Sequence, residues 1–256
     1  MKVLLENVSK TFTDEASPLA ALGATSLHIA SGEFVCLIGP SGCGKSTLLR
    51  LLADQIAPTT GNIQLDNHPP AAARARKEIA WMAQNPALLP WQTVWDNVAL
   101  PLRVNRQHHR PAPPPGELLA MVGLSDFTQA RPPKLSGGMQ QRVALARALA
   151  TGAPLWLMDE PFAALDELTR ETLTDEVLRL WMQFHPTVVW VTHNIAEAVR
   201  LADRVVVMTE RPGHIRGIVA IALPRPRDAT APESVAYIRE LRRLLRGEDE
   251  AGRNRK

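Results

Sequence analysis

The chain has 256 residues, a mass of 28.1 kDa and a formal net charge of +3, with 45% hydrophobic and 21% charged residues. That length allows one large domain or one domain carrying an inserted lobe, and the apolar share excludes a disordered chain. The positive charge is weak and dispersed, which gives no argument for a nucleic-acid partner, and two cysteines, Cys36 and Cys43, cannot build a disulfide framework and point to a reducing compartment.

In chain order, Glu6 interrupts the short apolar run Val3-Leu4-Leu5, which argues against a signal peptide. Lys2–Val8 and Ser26–Ile29 alternate in hydropathy and predict antiparallel edge strands. Phe34–Ile38, Leu155–Met158, Val188–Val191 and Val205–Met208 are continuously apolar, as strands covered on both faces should be. Helical patterns lie between them, so the chain predicts an α/β architecture with a parallel sheet. Residues 139–150 are rich in the strong helix formers Ala, Leu and Arg. Residues 169–184 carry the stripe Leu173, Val177, Leu180, Trp181 and Phe184. Pro-Ala-Pro-Pro-Pro at 111–115 predicts a loop, neither helix nor central strand. Gly247–Lys256 is charged and predicts a frayed tail. The longest apolar run, 148–158, is closed by Arg147 and Asp159 and falls short of the ~18 residues of a membrane span. A soluble, cytoplasmic chain is the expectation.

The strand at 34–38 runs into Gly39-Pro40-Ser41-Gly42-Cys43-Gly44-Lys45-Ser46-Thr47 and then into a leucine-rich helix. This is the complete phosphate-loop pattern in its strand–loop–helix setting. Glycines let successive backbone N–H groups turn inward on phosphate oxygens, and the helix adds the positive end of its dipole. Lys45 reaches the β- and γ-phosphates, a charge pair worth about 4 kcal/mol at about 4 Å in an effective dielectric of about 20, before desolvation. Ser46 offers a hydroxyl for Mg²⁺, and Thr47 supports the phosphates, while Cys43 fills a variable position of the loop. A phosphate loop needs an acidic partner. The strand Leu155-Trp156-Leu157-Met158 ends in Asp159, which suits Mg²⁺, and Glu160, which suits polarisation of an attacking water.

Leu135-Ser136-Gly137-Gly138-Met139-Gln140-Gln141-Arg142 resembles the signature of ATP-binding-cassette (ABC) transporter ATPases. The order of phosphate loop, glutamine loop, signature, acidic strand, D-loop and switch histidine is also similar to that family, over about residues 1–224. The resemblance implies ATP as substrate, Mg²⁺ as its metal, and a P-loop NTPase (RecA-like) core at about 1–88 and 151–224. It further implies an antiparallel β subdomain, an inserted α-helical subdomain at about 89–150, and a C-terminal helix and tail over 225–256. Two cassettes pair head to tail in the family, so Ser136, Gly137 and Gly138 at the start of a strong helix would meet the ATP of a second copy. By the same resemblance Phe12 matches the aromatic that stacks on adenine, with a buried core Phe as the alternative. Gln84 matches the glutamine that reaches Mg²⁺ and water. Asp166 matches the D-loop acid that communicates across the dimer, and His193 the switch histidine on the γ-phosphate. Glu160, Lys45 and His193 are thus the expected hydrolytic residues. His108 and His109 belong to no motif and are expected to be solvated.

Leu88-Leu89-Pro90-Trp91 and Val94-Trp95-Asp96-Asn97-Val98, with Arg211-Pro212-Gly213-His214-Ile215 and Leu223-Pro224-Arg225-Pro226-Arg227, are similar to the nitrate/sulfonate/taurine importer branch. That likeness implies a chain that drives separate transmembrane permease subunits, and through them a periplasmic or extracellular solute-binding protein, from the cytoplasmic face of the inner membrane. Residues 85–100 would receive the permease. Leu88, Leu89 and Trp91 are either contacts there or packed inside the helical lobe. At this length no appended regulatory domain is expected. An ABC ATPase of an export or lipid-transport system, or one without a transport role, is the alternative.

Overall fold

The computed structural model describes residues 1–13, 18–105 and 110–247. His108, His109 and the tail beyond Gly247 lie outside the described residues. The elements run β1 (Val3–Thr13), β2 (Pro18–Ile29), β3 (Phe34–Ile38), α1 (Lys45–Leu52), β4 (Thr60–Leu65), α2 (Pro70–Ala75), β5 (Ile79–Met82), α3 (Val94–Val104), α4 (Pro115–Met121) and α5 (Gly137–Leu149). They continue with β6 (Leu155–Asp159), α6 (Glu167–Phe184), β7 (Thr187–Val191), α7 (Ile195–Leu201), β8 (Arg204–Met208), β9 (Ile215–Ala220) and α8 (Pro232–Arg246).

A six-stranded sheet has the order β5-β6-β7-β3-β8-β9, and β2-β1-β4 form a separate three-stranded antiparallel sheet. The four continuously apolar segments occupy the centre of the larger sheet because both of its faces are covered. Alternate residues of one strand enter two different cores. Phe34, Cys36 and Ile38 face α5, α6 and α7, whereas Val35 and Leu37 face α1 and the antiparallel sheet. Trp156 and Met158 repeat the division against Leu155 and Leu157. Each such fully buried side chain contributes about 1.5–3 kcal/mol.

The fold is the expected α/β class, with three differences in detail. The large sheet is mixed, because β9 pairs antiparallel with β8 at one edge. The two N-terminal strands are longer than the alternation indicates, because β1 breaks register after Leu5, Val8 and Lys10 and so changes which face is buried. Pro115 is the first residue of α4 instead of loop, since a proline at that position lacks only an N–H that would have no partner. Helices α3 and α4 pack against α5, and the larger core runs continuously into them through Val94, Val98, Leu118 and Leu119. No helix among the described residues is long and apolar enough to cross a membrane.

Candidate active site

The site lies beyond the C-terminal ends of the parallel strands, where open α/β sheets place their ligands. Strand β3 delivers the chain into residues 39–44, and α1 begins at Lys45 behind Gly44. Gly44 has φ +96° and a side chain there would stand 2.7 Å from the Ala21 carbonyl of β2, so only glycine suits the turn. The loop is also braced from behind. A Cβ on Gly213 would lie 1.8 Å from the Cys43 carbonyl, and the Gly23 N–H donates to the Gly213 carbonyl at 3.0 Å. The turn carrying Arg211-Pro212-Gly213-His214 thus packs directly on the phosphate loop.

Lys45 is buried, and its Nζ donates to the carbonyls of Gly39 at 2.8 Å and Pro40 at 2.9 Å, with the Cys43 thiol 3.7 Å away. The ammonium therefore sits at the mouth of the loop, held by acceptors far weaker than a phosphate. Ser46 Oγ donates to Asp159 Oδ1 at 3.0 Å, which joins the first turn of α1 to the end of β6. Burial raises the pKa of Asp159; the Ser46 hydrogen bond opposes that, and the neighbouring Glu160 charge adds to it.

Glu160 follows with φ +49°, a conformation that few non-glycine residues adopt, and its N–H donates to the Val191 carbonyl at 3.0 Å. The strained turn aims its carboxylate across the strand ends. Gln84 Nε2 donates to Glu160 Oε2 at 3.2 Å, and His193 Nδ1 lies 3.7 Å from the same oxygen. Three segments distant in sequence therefore converge on one carboxylate.

The structure places Phe12, Ser136 and Asp166 elsewhere, each engaged with its own neighbours. Ser136 caps α5 by accepting from the Met139 N–H at 3.2 Å, while Gly137 has open space around it. Gly138 is crowded, since a Cβ there would stand 3.0 Å from the Ala164 carbonyl. Asp166 caps α6, and the Thr169 backbone and hydroxyl bonds hold its carboxyl below the usual range. Phe12 is half-buried near the end of β1 with Lys10 Nζ 5.2 Å from its ring centroid, so the fully buried alternative does not apply.

Two further contributors lie within stretches quoted above, but nothing local to the sequence shows what they hold. Gln141 of α5 accepts from the Ala164 N–H at 3.0 Å and donates to the Gln84 carbonyl at 3.5 Å, which couples the signature helix to both the glutamine loop and the D-loop. Asn97 of α3 is fully buried and its amide brackets the 89–93 loop, donating to the carbonyls of Leu89 and Thr93 and accepting from the Leu89 N–H. Trp91, at the tip of that loop, is 65% exposed, whereas Leu88 packs partly against the core.

For a divalent cation the donors present fit. Ser46 and Asp159 put a hydroxyl and a carboxylate oxygen side by side, Gln84 has an amide oxygen free of the Glu160 contact, and hard cations such as Mg²⁺ take oxygen ligands. Burial raises the pKa of Asp159 in spite of the Arg50 and Lys45 charges, and a bound cation would oppose that shift directly. Among the described residues no group of three or more His, Cys, Asp or Glu is placed to hold a metal.

A phosphate-loop pattern on a mixed sheet, with an acidic strand end beside it, defines a P-loop nucleotide hydrolase. A family model described as "ABC transporter" matches residues 22–163. The chain is 43% identical over 249 residues to an uncharacterized ABC transporter ATP-binding protein of Methanocaldococcus jannaschii, covering 97% of this chain and 92% of that one. It is 42% identical over 228 residues to the nitrate import ATP-binding protein of Synechococcus elongatus, covering 88% and 82%. A bicarbonate transport ATP-binding protein of the same organism is 41% identical over 230 residues, with the same coverage. Among solved structures, a dimeric bacterial ABC transporter cassette superposes with a TM-score of 0.78 at 34% identity, covering 87% of this chain and 100% of that one. A dimeric post-hydrolysis cassette bound to ADP and Pi gives 0.76 at 35%, with equal coverage. The chain belongs to the ABC transporter family, as an ATP-binding and ATP-hydrolysing subunit.

Proposed function

We propose that this ATPase powers an importer for small solutes of the nitrate, sulfonate and taurine type, as a peripheral subunit on the cytoplasmic face of the inner membrane. The observation that carries the reading is the convergence of Gln84, Glu160 and His193 beside the Lys45 loop and the Ser46–Asp159 pair. Relatives named for nitrate and bicarbonate transport support the solute class.

In this reading Lys45 leaves the Gly39 and Pro40 carbonyls for the β- and γ-phosphates of ATP, and the loop amides take the remaining oxygens. Ser46, Asp159 and Gln84 would hold Mg²⁺, which would supply Lewis-acid polarisation of the phosphate oxygens. Glu160 accepts a hydrogen bond from the attacking water, with Gln84 steadying its second oxygen, and His193 contacts the γ-phosphate. The core spans about 1–88 and 151–224 and the helical lobe about 89–150, with α8 and the tail over 225–256. Ser136, Gly137 and Gly138 complete the site of a second copy, Asp166 lies between the two, and Phe12 stacks on adenine. Two dimeric cassettes among the structural neighbours support that pairing. The loop that Asn97 staples, with Trp91 at its tip, receives the permease, and the permease meets a solute-binding protein on the far side.

A tagged chain recovered from detergent-solubilised membranes of the source cell tests this. A co-purifying multi-span permease is the expected result, and Trp91→Ala should weaken its recovery. Soluble partners alone, such as ribosomal or DNA-repair proteins, would overturn the importer reading and leave the ATPase standing.

A further inference from the structure

We propose that Glu197 is a positioning residue for ATP hydrolysis: its buried carboxyl, held by Trp190, anchors a ring of polar contacts that carries His193 on its rim and presents it toward Glu160. The proposal rests on the reading of His193 and Glu160 given above and adds a residue to it.

The ring is built from three polar residues around the end of β7. The Asn194 N–H donates to Thr192 Oγ1 at 3.0 Å, and the Thr192 side chain faces the Glu197 carboxyl and favours its charged form. The Glu197 N–H donates to Asn194 Oδ1 at 3.1 Å, capping α7 and closing the circuit. A further donor, Trp190 Nε1, grips Glu197 Oε1 from inside the sheet core. Trp190 itself is locked there, its ring 5.0 Å from Phe162 and 5.8 Å from Phe34. His193 is the residue between Thr192 and Asn194. Its side chain is 62% exposed, so packing does not set its direction; the backbone of the ring does. Glu160, His193, Asn194 and Glu197 line one small cavity, so the carboxyl stands directly behind the catalytic pair.

A carboxyl was not needed to fill this space. Glu197 is 6% exposed, and among the described residues no cation lies within ion-pair distance of it. The groups that face it are Arg170 from α6, Glu160 from the end of β6, Cys36 from β3 and His193 from its own turn. Arg170 is turned away onto Glu167 and the Leu165 carbonyl. A buried charge left unpaired is costly unless hydrogen bonds hold it. Only the ionised form accepts from Trp190 and Thr192 without turning one oxygen into a donor. Burial nevertheless raises its pKa to about 7. The ring is therefore fully made above neutrality and loosened below it.

The test compares ATP turnover of the purified chain with that of Glu197→Gln, Trp190→Phe and His193→Ala between about pH 5.5 and 8.5. Glu197→Gln should lower kcat about 10- to 100-fold, with KM for ATP within about threefold, because the nucleotide is held by a loop that Glu197 does not touch. The wild-type kcat should climb through pH near 7, and that limb should be missing from Glu197→Gln. Trp190→Phe, which keeps the packing and removes one donor to the carboxylate, should move the limb to higher pH. It keeps the question open to test if Glu197→Gln does not fold. A wild-type kcat and profile in Glu197→Gln would overturn the proposal. So would an unmoved limb in Trp190→Phe. His193→Ala separates the two readings. If it turns over normally, the histidine reading fails and this one with it; if it is inactive while Glu197→Gln is normal, only the role of Glu197 fails.

Discussion

Lys45 shows how a site can be held ready for an anion. Its ammonium rests on two loop carbonyls and on no carboxylate, so a phosphate replaces weak neutral acceptors and breaks no ion pair. Lys45→Ala should therefore weaken ATP binding about 10- to 100-fold, measured by calorimetry. Unchanged affinity would remove the loop from the nucleotide site. Glu160→Gln keeps the contact with Gln84 and loses the charge, so hydrolysis should fall about 10²- to 10⁴-fold while ATP still binds, and a dimer should accumulate on gel filtration. Glu197 adds a pH dependence of opposite sign to its effect on turnover. Its pKa rises from 4.5 to about 7 on folding, so the folded state holds the extra proton. The stability this contributes is whole below about pH 4.5 and is lost as pH climbs through about 7. Thermal melts at several pH values should show the wild type losing ground to Glu197→Gln over that window. The residue that tunes the site best above neutrality is one the fold would keep protonated.

At the level of elements, what could be read from the sequence follows from what surrounds each segment. Strands β3, β6, β7 and β8 are covered on both faces, so their composition has one interpretation. Strand β9 and most of β4 are half-exposed and lie at sheet edges, where neither a continuous apolar run nor clean alternation survives. The strand–loop–helix setting of the phosphate-loop pattern was legible because it is local, nine consecutive residues between one strand and the start of one helix. Gln141 and Glu197 were not, because a polar residue on a helix reads as solvated until its partners from other segments are known. Asn97 is the same case on α3. Its buried amide, not its helix propensity, explains its place in the Val-Trp-Asp-Asn-Val stretch, since it ties down the loop ahead of its own helix. Asn97→Ala leaves the Leu89 N–H and two carbonyls short of partners and should cost about 1–3 kcal/mol, read from urea unfolding. Recovery of the permease should fall with it, because the 89–93 loop would lose its staple.

Over the whole molecule, the active site is assembled at a junction of layers. One oxygen of Glu160 is shared by Gln84, which follows β5, and His193, which follows β7, while Ser46 reaches Asp159 from α1. In the proposed reading the central sheet spaces the catalytic groups, and the helices α5 and α7 set their orientation through Gln141 and Glu197. Gly213 belongs to this architecture although it lies 170 positions beyond the loop it supports, with no room for one carbon between it and the Cys43 carbonyl. Counted along the chain it is a turn residue between the inner strand β8 and the edge strand β9; counted by what it touches, it belongs to the loop at 39–44. In a library covering every position, substitutions at Gly213 should share the loss-of-binding profile of Gly44 and not the tolerance of the β8–β9 turn around it.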